Sequence, residues 1–548
     1  MDNIRLLLFM ALAFISLLLW EAWQADYVLP KQQTATPVAQ LNNAADIPVA
    51  NSSDAPNLPQ ASMPTIAGIN PATAPKLVHV VTDTLDVYIS SVGGSIIDAK
   101  LNKYPVSVDQ PDIKYHLMSE RASDYFIAQS GLLGAETERT PNHTSTFAAS
   151  QSSYRMADDA NELVVDMQWA AKDGLVVTKR YTFTRDSHAV KLEHIINNGS
   201  SAAWSGRDYR QLKRGEPTDS GNALMYTYTG GAIYDQVDKY QKYDFGELAS
   251  QKVDRDATDG WVAMIQHYFL GAFIPDRGET QHFYSKAAGT QYVLGTYSQA
   301  KSVAPGQTAS FGGQLFMGPK LQAELEPLAQ GLELTVDYGW LVFIAKPMHV
   351  ILEWVNDFVQ NWGWTIIIFT ILIKLVFYKL SETSYRSMAN MRKLTPRIQA
   401  LKDRFGEDKQ RMQKEMMEIY KKEKVNPLGG CLPMLIQIPF FIALYWVLLE
   451  SVELRQAPWI LWIDDLAVKD PYYVLPVIMA VSMFVQQKLN PQPPDPMQQK
   501  IMMYLPLVFG VMFAFFPAGL VLYWVFNNLL SIAQQYVITK RIEAGESA

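Results

Sequence analysis

The sequence predicts a multidomain membrane protein: an N-terminal transmembrane anchor, a large β-sandwich domain outside the cytoplasm, and a five-helix transmembrane bundle with a cytoplasmic helical hairpin. Three observations predict it. The chain has 548 residues, more than one ordinary domain holds. Only 18% of residues are charged, against about a quarter in globular proteins, and 49% are hydrophobic. The apolar excess is confined to one N-terminal block and the last third, with period-two alternation between them.

Composition also excludes. A net charge of −7 argues against nucleic acid as the main partner. The single cysteine, Cys431, rules out an intramolecular disulfide. The eight histidines show no HxxxH or HExxH, so no metal site is expected. Neither GxGxxG nor a Walker loop occurs, so no nucleotide and no cofactor is expected.

Residues 1–24 contain a near-continuous apolar run ending at Trp20 and Trp23, an interfacial aromatic pair. The run is long for a signal peptide and no small-x-small site follows at once, so it reads as an uncleaved anchor. Residues 25–75 are rich in Ala, Pro, Thr, Asn and Gln and read as a flexible linker. Residues 76–340 carry short alternating segments such as LDVYI (85–89). LVVDMQW (163–169) and LVVTKRYTF (175–183) flank Lys172-Asp173-Gly174, a hairpin turn. This is a β-sandwich domain without a nucleophile–base pair, read as a folding or docking module.

Residues 341–361 include an amphipathic helix with Val350, Ile351, Trp354, Val355 and Phe358 on one face, suited to the membrane interface. Apolar runs follow near 362–380, 430–449, 472–488, 501–516 and 520–538. Several are shorter than the ~20 residues that span a bilayer comfortably, which implies local thinning or tilt. Phe516-Pro517-Ala518-Gly519 joins the last two as a hairpin. The domain plan is therefore a second transmembrane helix at 362–380, a basic hairpin at 381–426, and helices three to six with a short tail at 427–548.

Residues 381–426 hold twelve Lys or Arg against seven Asp or Glu, whereas 450–471 hold two against five. The positive-inside rule puts the hairpin and both termini in the cytoplasm and the β-domain outside, which is the periplasm in a Gram-negative cell. Met388, Met391, Leu394, Ile398, Leu401 and Phe405 form one seam, and Met412, Met416 and Ile419 a return helix after Gly406. The basic residues Arg392, Lys393, Arg397, Lys402, Arg404, Lys409 and Arg411 form either a solvated face or a contact for a polyanionic surface such as lipid headgroups or ribosomal RNA.

Lys374 lies inside the second span, roughly 18 Å along the helix from Trp362 and about 9 Å from Leu380. Snorkelling is the plain reading. Against it, Lys379 already occupies the end of the helix, and no Asp or Glu lies inside any other span. Neutral polar groups do: Thr370, Gln437, Ser482, Asn527, Asn528, Ser531, Gln534 and Gln535. A polar-lined cavity with a cation would attract acidic groups, so the missing partner is read as the substrate. A small-solute transporter or channel is the alternative, but it would carry intramembrane carboxylates or inverted repeats. A scaffold would need only one span.

Several segments carry a resemblance. LELTVDYGW (332–340), DKQRMQKEMMEIYKKEKVNPLGGCLPMLIQIPFF (408–441), SVELRQAPW (451–459), DPMQQKIM (495–502), FPAGLVLYW (516–524) and GWVAMIQHYF (260–269) resemble the YidC family of bacterial membrane protein insertases, in its Gram-negative form. The resemblance implies a periplasmic β-supersandwich and a hydrophilic groove open to cytoplasm and lipid. It implies an insertase and chaperone without ATP or covalent chemistry, acting alone or with the Sec translocon. Nascent membrane proteins, ribosome and signal-recognition components and membrane lipids are its implied partners. It also places Lys374, Thr370, Gln437, Ile438, Tyr523 and Trp524 in the substrate groove. The family usually has arginine where this chain has Lys374, and more often tyrosine where it has Trp524, so charge is kept but the guanidinium fork is lost.

Overall fold

The structure, a computed structural model, describes residues 76–217, 227–405, 408–423, 432–490 and 496–543. The expected anchor (1–24) and the expected linker (25–75) lie outside the described residues.

Strands run from Leu77 to Pro319 and form sheets of eleven and ten strands among the described residues. All described pairings are antiparallel except Leu77–Val81 with Ser153–Arg155. Alternation in the sequence becomes alternation in burial. Strand Leu175–Thr184 buries every second side chain, and it pairs with Glu162–Ala170 through the expected turn. There Gly174 adopts φ +95°, and the Asp173 carboxylate accepts from the Leu175 N–H. Val87, Ile89, Val165, Phe183, Phe273 and Met317 belong to the core between the sheets.

A second apolar cluster is what fixes the domain on the helices. It begins on one face of the ten-stranded sheet (Trp261, Ala272, Phe316), continues through Leu325, Leu332 and Leu341, and ends among Ile366, Leu444 and Val521. Continuous apolar burial of this kind makes the junction a packed core and not a tether.

The described helices are α1 (Phe245–Ala249), α2 (Gln322–Leu328), α3 (Val342–Val359), α4 (Trp362–Val376), α5 (Tyr378–Phe405), α6 (Lys409–Lys422), α7 (Leu432–Glu450), α8 (Val474–Leu489), α9 (Pro496–Phe513) and α10 (Ala518–Glu543). Helix α3 is apolar on two sides. Ala345, Met348, Leu352 and Val355 are buried, whereas Val350, Ile351, Trp354 and Phe358 stay 41–72% exposed. Val355 thus belongs to the inner side and not to the outward face the sequence assigned it.

The apolar run 362–380 is not one helix. Helix α4 ends at Val376, α5 starts at Tyr378, and the two are bent by 68°. Phe377 leaves helical geometry (φ −89°, ψ 10°), and its ring meets Phe440 edge-on at 4.9 Å. Among the described residues no single helix is long and apolar enough to cross a membrane, but this bent pair passes together. Between α9 and α10 the backbone is pinned by Ala518 N–H to the Val468 carbonyl (2.7 Å) and Gly519 N–H to Leu466 (2.9 Å).

Candidate functional site

Lys374 points into the bundle and is 5% exposed. Its ammonium donates to Ser531 Oγ of α10 at 2.7 Å. Ser531 in turn donates to the Asn527 carbonyl at 2.7 Å, and the Tyr385 phenol of α5 lies beside this hydroxyl. Three helices therefore meet at one cation. Among the described residues no carboxylate pairs with it, and one of its three donors has a protein acceptor.

Thr370, one turn away, is buried, but its hydroxyl donates to its own helix at the Ile366 carbonyl (2.6 Å). It makes no hydrogen bond to Lys374. Tyr523 and Trp524 sit in an aromatic cluster. Phe441 of α7 stacks on Tyr523 (6.1 Å) and meets Trp524 edge-on (4.5 Å), while Phe513 of α9 lies 5.0 Å from Trp524. Gln437 is half-buried one turn before Phe441, and Ile438 is 44% exposed. The structure thus forms two groups, a cation site and an aromatic site, separated by about 12 Å of α10 between Tyr523 and Ser531.

Helix α10 carries the polar stripe between neighbours. Asn528 donates to Ser482 of α8 at 3.2 Å, and Gln535 donates to the Leu489 carbonyl and to Asn490. The Gln534 and Gln535 side-chain carbonyls are buried without partners. Ser531 was among the polar groups legible in the sequence. Tyr385 was not, because the bend at Phe377 interrupts the helical count that would have aligned it.

On the hairpin Arg392, Lys393, Arg397, Arg404 and Arg411 are exposed, while the Lys402 and Lys409 side chains lie outside the described residues. Arg397 pairs with Glu423 across the two helices at 2.6 Å. Arg404 and Arg411 both stack over Phe405, at 5.3 and 5.2 Å. Ala389, Leu394 and Ile398 form the buried seam.

Sequence reasoning missed the joint between domain and bundle. Lys320, just after the last strand, pairs with Glu450 at the end of α7. His267 hydrogen-bonds the Leu449 carbonyl at 2.9 Å, and burial, reinforced by the Lys320 charge, pushes its imidazole down to about 4. Arg455 donates to the Pro105 and Val106 carbonyls at 2.6 and 2.9 Å, and Gln456 to Pro105 at 2.9 Å. Also unforeseen was Ser130–His194–Asp208 inside the sandwich, with spacings of 3.5 and 2.6 Å. All three are at most 2% exposed, so a substrate has no access and the group is a core network.

The family model described as the YidC periplasmic domain matches residues 77–351, and the model described as 60Kd inner membrane protein matches residues 354–545. A membrane protein insertase YidC of Thioalkalivibrio sulfidiphilus is 49% identical over 556 residues, covering 99% of both chains. Those of Nitrosococcus oceani and Methylococcus capsulatus are 47% and 48% identical, again over 99% of each chain.

Proposed function

This chain belongs to the YidC family of membrane protein insertases, an inner-membrane protein with a β-rich periplasmic domain and a helical C-terminal region, and from that premise we propose how its bundle works. The polar part of an incoming polypeptide enters between α4, α5 and α10 and meets Lys374, while its apolar segment passes along the aromatic side formed by Phe441, Tyr523 and Trp524. No ATP is used. Partitioning of the apolar segment into lipid drives the step.

One observation carries this reading: a buried ammonium held by a single neutral hydroxyl. Placing a charge within a bilayer costs at least about 2.5 kcal/mol, so an unpaired one marks a task and not a packing choice. An acidic or carbonyl-rich substrate segment supplies acceptors to the two unused donors. The remaining parts of the proposal rest on sequence: six spans with both termini cytoplasmic, an N-terminal anchor at 1–24, the domain boundaries given above, and partnership with the Sec translocon. The exposed hairpin arginines support recruitment of ribosome and signal-recognition components, and α3 with its outward Trp354 and Phe358 supports contact with membrane lipids.

Depletion and rescue tests the reading, with insertion of a single-span protein bearing an acidic translocated tail as the score. Lys374→Arg should rescue, and Lys374→Gln and Lys374→Glu should fail at matched expression. Equal insertion by Lys374→Gln would sink the proposal and leave the Lys374 charge without a part in insertion.

A further inference from the structure

His349 of α3 is 2% exposed, and its Nδ1 is buried without a hydrogen-bond partner. Two carboxylates face its ring. Glu353, one turn on along the same helix, has an oxygen 3.4 Å from Nδ1, and Glu453, in the 3₁₀ turn Val452–Leu454 that follows α7, has one 3.7 Å from Nε2. Both spacings exceed a good hydrogen bond. One nitrogen of His349 and one oxygen from each glutamate lie within 4.8 Å of one another.

We propose that His349, Glu353 and Glu453 form a site for a divalent transition-metal ion of the zinc type, which ties the interfacial helix α3 to the turn after α7. Ligand atoms about 2.0–2.1 Å from a tetrahedral ion are about 3.4 Å apart, so this set, within 4.8 Å but with its carboxylates on different ring nitrogens, holds an ion once both glutamates turn to one nitrogen. One imidazole nitrogen with two carboxylate oxygens leaves an open fourth position and suits zinc better than magnesium or calcium, which prefer all-oxygen shells. The scaffold holds the ligands firmly. Ala345, Leu352, Val452 and Leu454 are all at most 2% exposed, so neither backbone segment is free to drift. The Tyr338 ring, 6.0 Å from that of His349 and hydrogen-bonded through its hydroxyl to Gln322, walls one side. The helical His-x-x-x-Glu spacing was present in the sequence, but its third ligand comes from a hundred residues further on.

Calorimetric titration of the chelator-treated full-length chain with Zn²⁺, paired with thermal unfolding, tests the site. His282, which lies between the exposed Asp254 and Asp256, offers a background site, so all chains would carry His282→Asn. The parent should bind one ion that raises its Tm. His349→Asn and Glu453→Gln should each lose that equivalent, or weaken it at least tenfold, and with it the Tm rise. Glu353→Gln, a half-exposed position that folding tolerates, should do the same and serves if His349→Asn misfolds. The proposal is overturned if the three variants bind zinc with the parent's stoichiometry and affinity, or if the parent shows no such equivalent.

Discussion

Lys320 and Glu450, 130 residues apart, meet at 2.6 Å with both side chains at most 5% exposed, and Lys320 also donates to the Thr335 carbonyl at 3.3 Å. One partner ends the β-domain and the other ends α7. A buried pair of this kind is costly to break, because removing one partner strands the other charge.

Lys320→Met or Glu450→Gln alone should therefore destabilise the protein by about 3–5 kcal/mol. The double variant Lys320→Met/Glu450→Leu should recover most of that loss, since two apolar groups of similar volume leave no charge behind. Unfolding in detergent or nanodiscs measures both. A double variant no better than the singles would show that the pair does more than neutralise itself.

The same joint should loosen in acid. His267 is held neutral, about 4 in the folded protein against 6.5 unfolded. The unfolded chain binds the extra proton between those values, so stability rises with pH across this window. The contribution is complete above about pH 6.5 and is lost as pH falls toward 4, by at most about 3 kcal/mol. His267→Asn should flatten that part of the stability–pH curve.

Arg455 fixes the strand Ile96–Ser107 to the bundle through two carbonyls and lies over Tyr115 and Phe269 at 5.7 and 5.6 Å. Arg455→Ala should cost on the order of 2 kcal/mol and raise hydrogen exchange at residues 103–115. Arg455→Lys should recover little, because one ammonium cannot reproduce the fork over two rings.

Gly363 opens α4 directly beneath Trp459, and a Cβ there would lie 2.1 Å from the indole. Gly363→Ala should cost about 1–3 kcal/mol by overpacking, although alanine is the better helix former. A stabilised variant would mean that Trp459 moves freely.

Arg397→Ala, by contrast, removes an exposed pair with Glu423 and should change stability by less than about 1 kcal/mol. If the hairpin binds polyanions, its binding should weaken with salt and with Arg392, Arg404 and Arg411 neutralised together.

Short-range patterns explain what was legible. Alternation of buried residues in Leu175–Thr184, the Gly174 turn, the Leu394–Ile398 seam and the lone Lys374 are all written within a few residues of chain. The rest depends on partners far away. Nothing near Glu450 announces Lys320, and nothing near His349 announces Glu453. The bend at Phe377 has no glycine or proline to signal it; helical geometry is lost at this one residue, whose ring rests on that of Phe440 far along the chain. Val355 was misassigned because helical periodicity gives a face but not which of two apolar faces turns inward.

That bend makes a lever. Helix α5 has 28 residues and is about 42 Å long, and the bend it leaves from lies three residues from Lys374. A sideways push of roughly 7 Å at its far end is a tilt of only ~10° at the pivot. The ratio runs downward: a large displacement at the hairpin tip corresponds to only a small turn at the bend beside the cation.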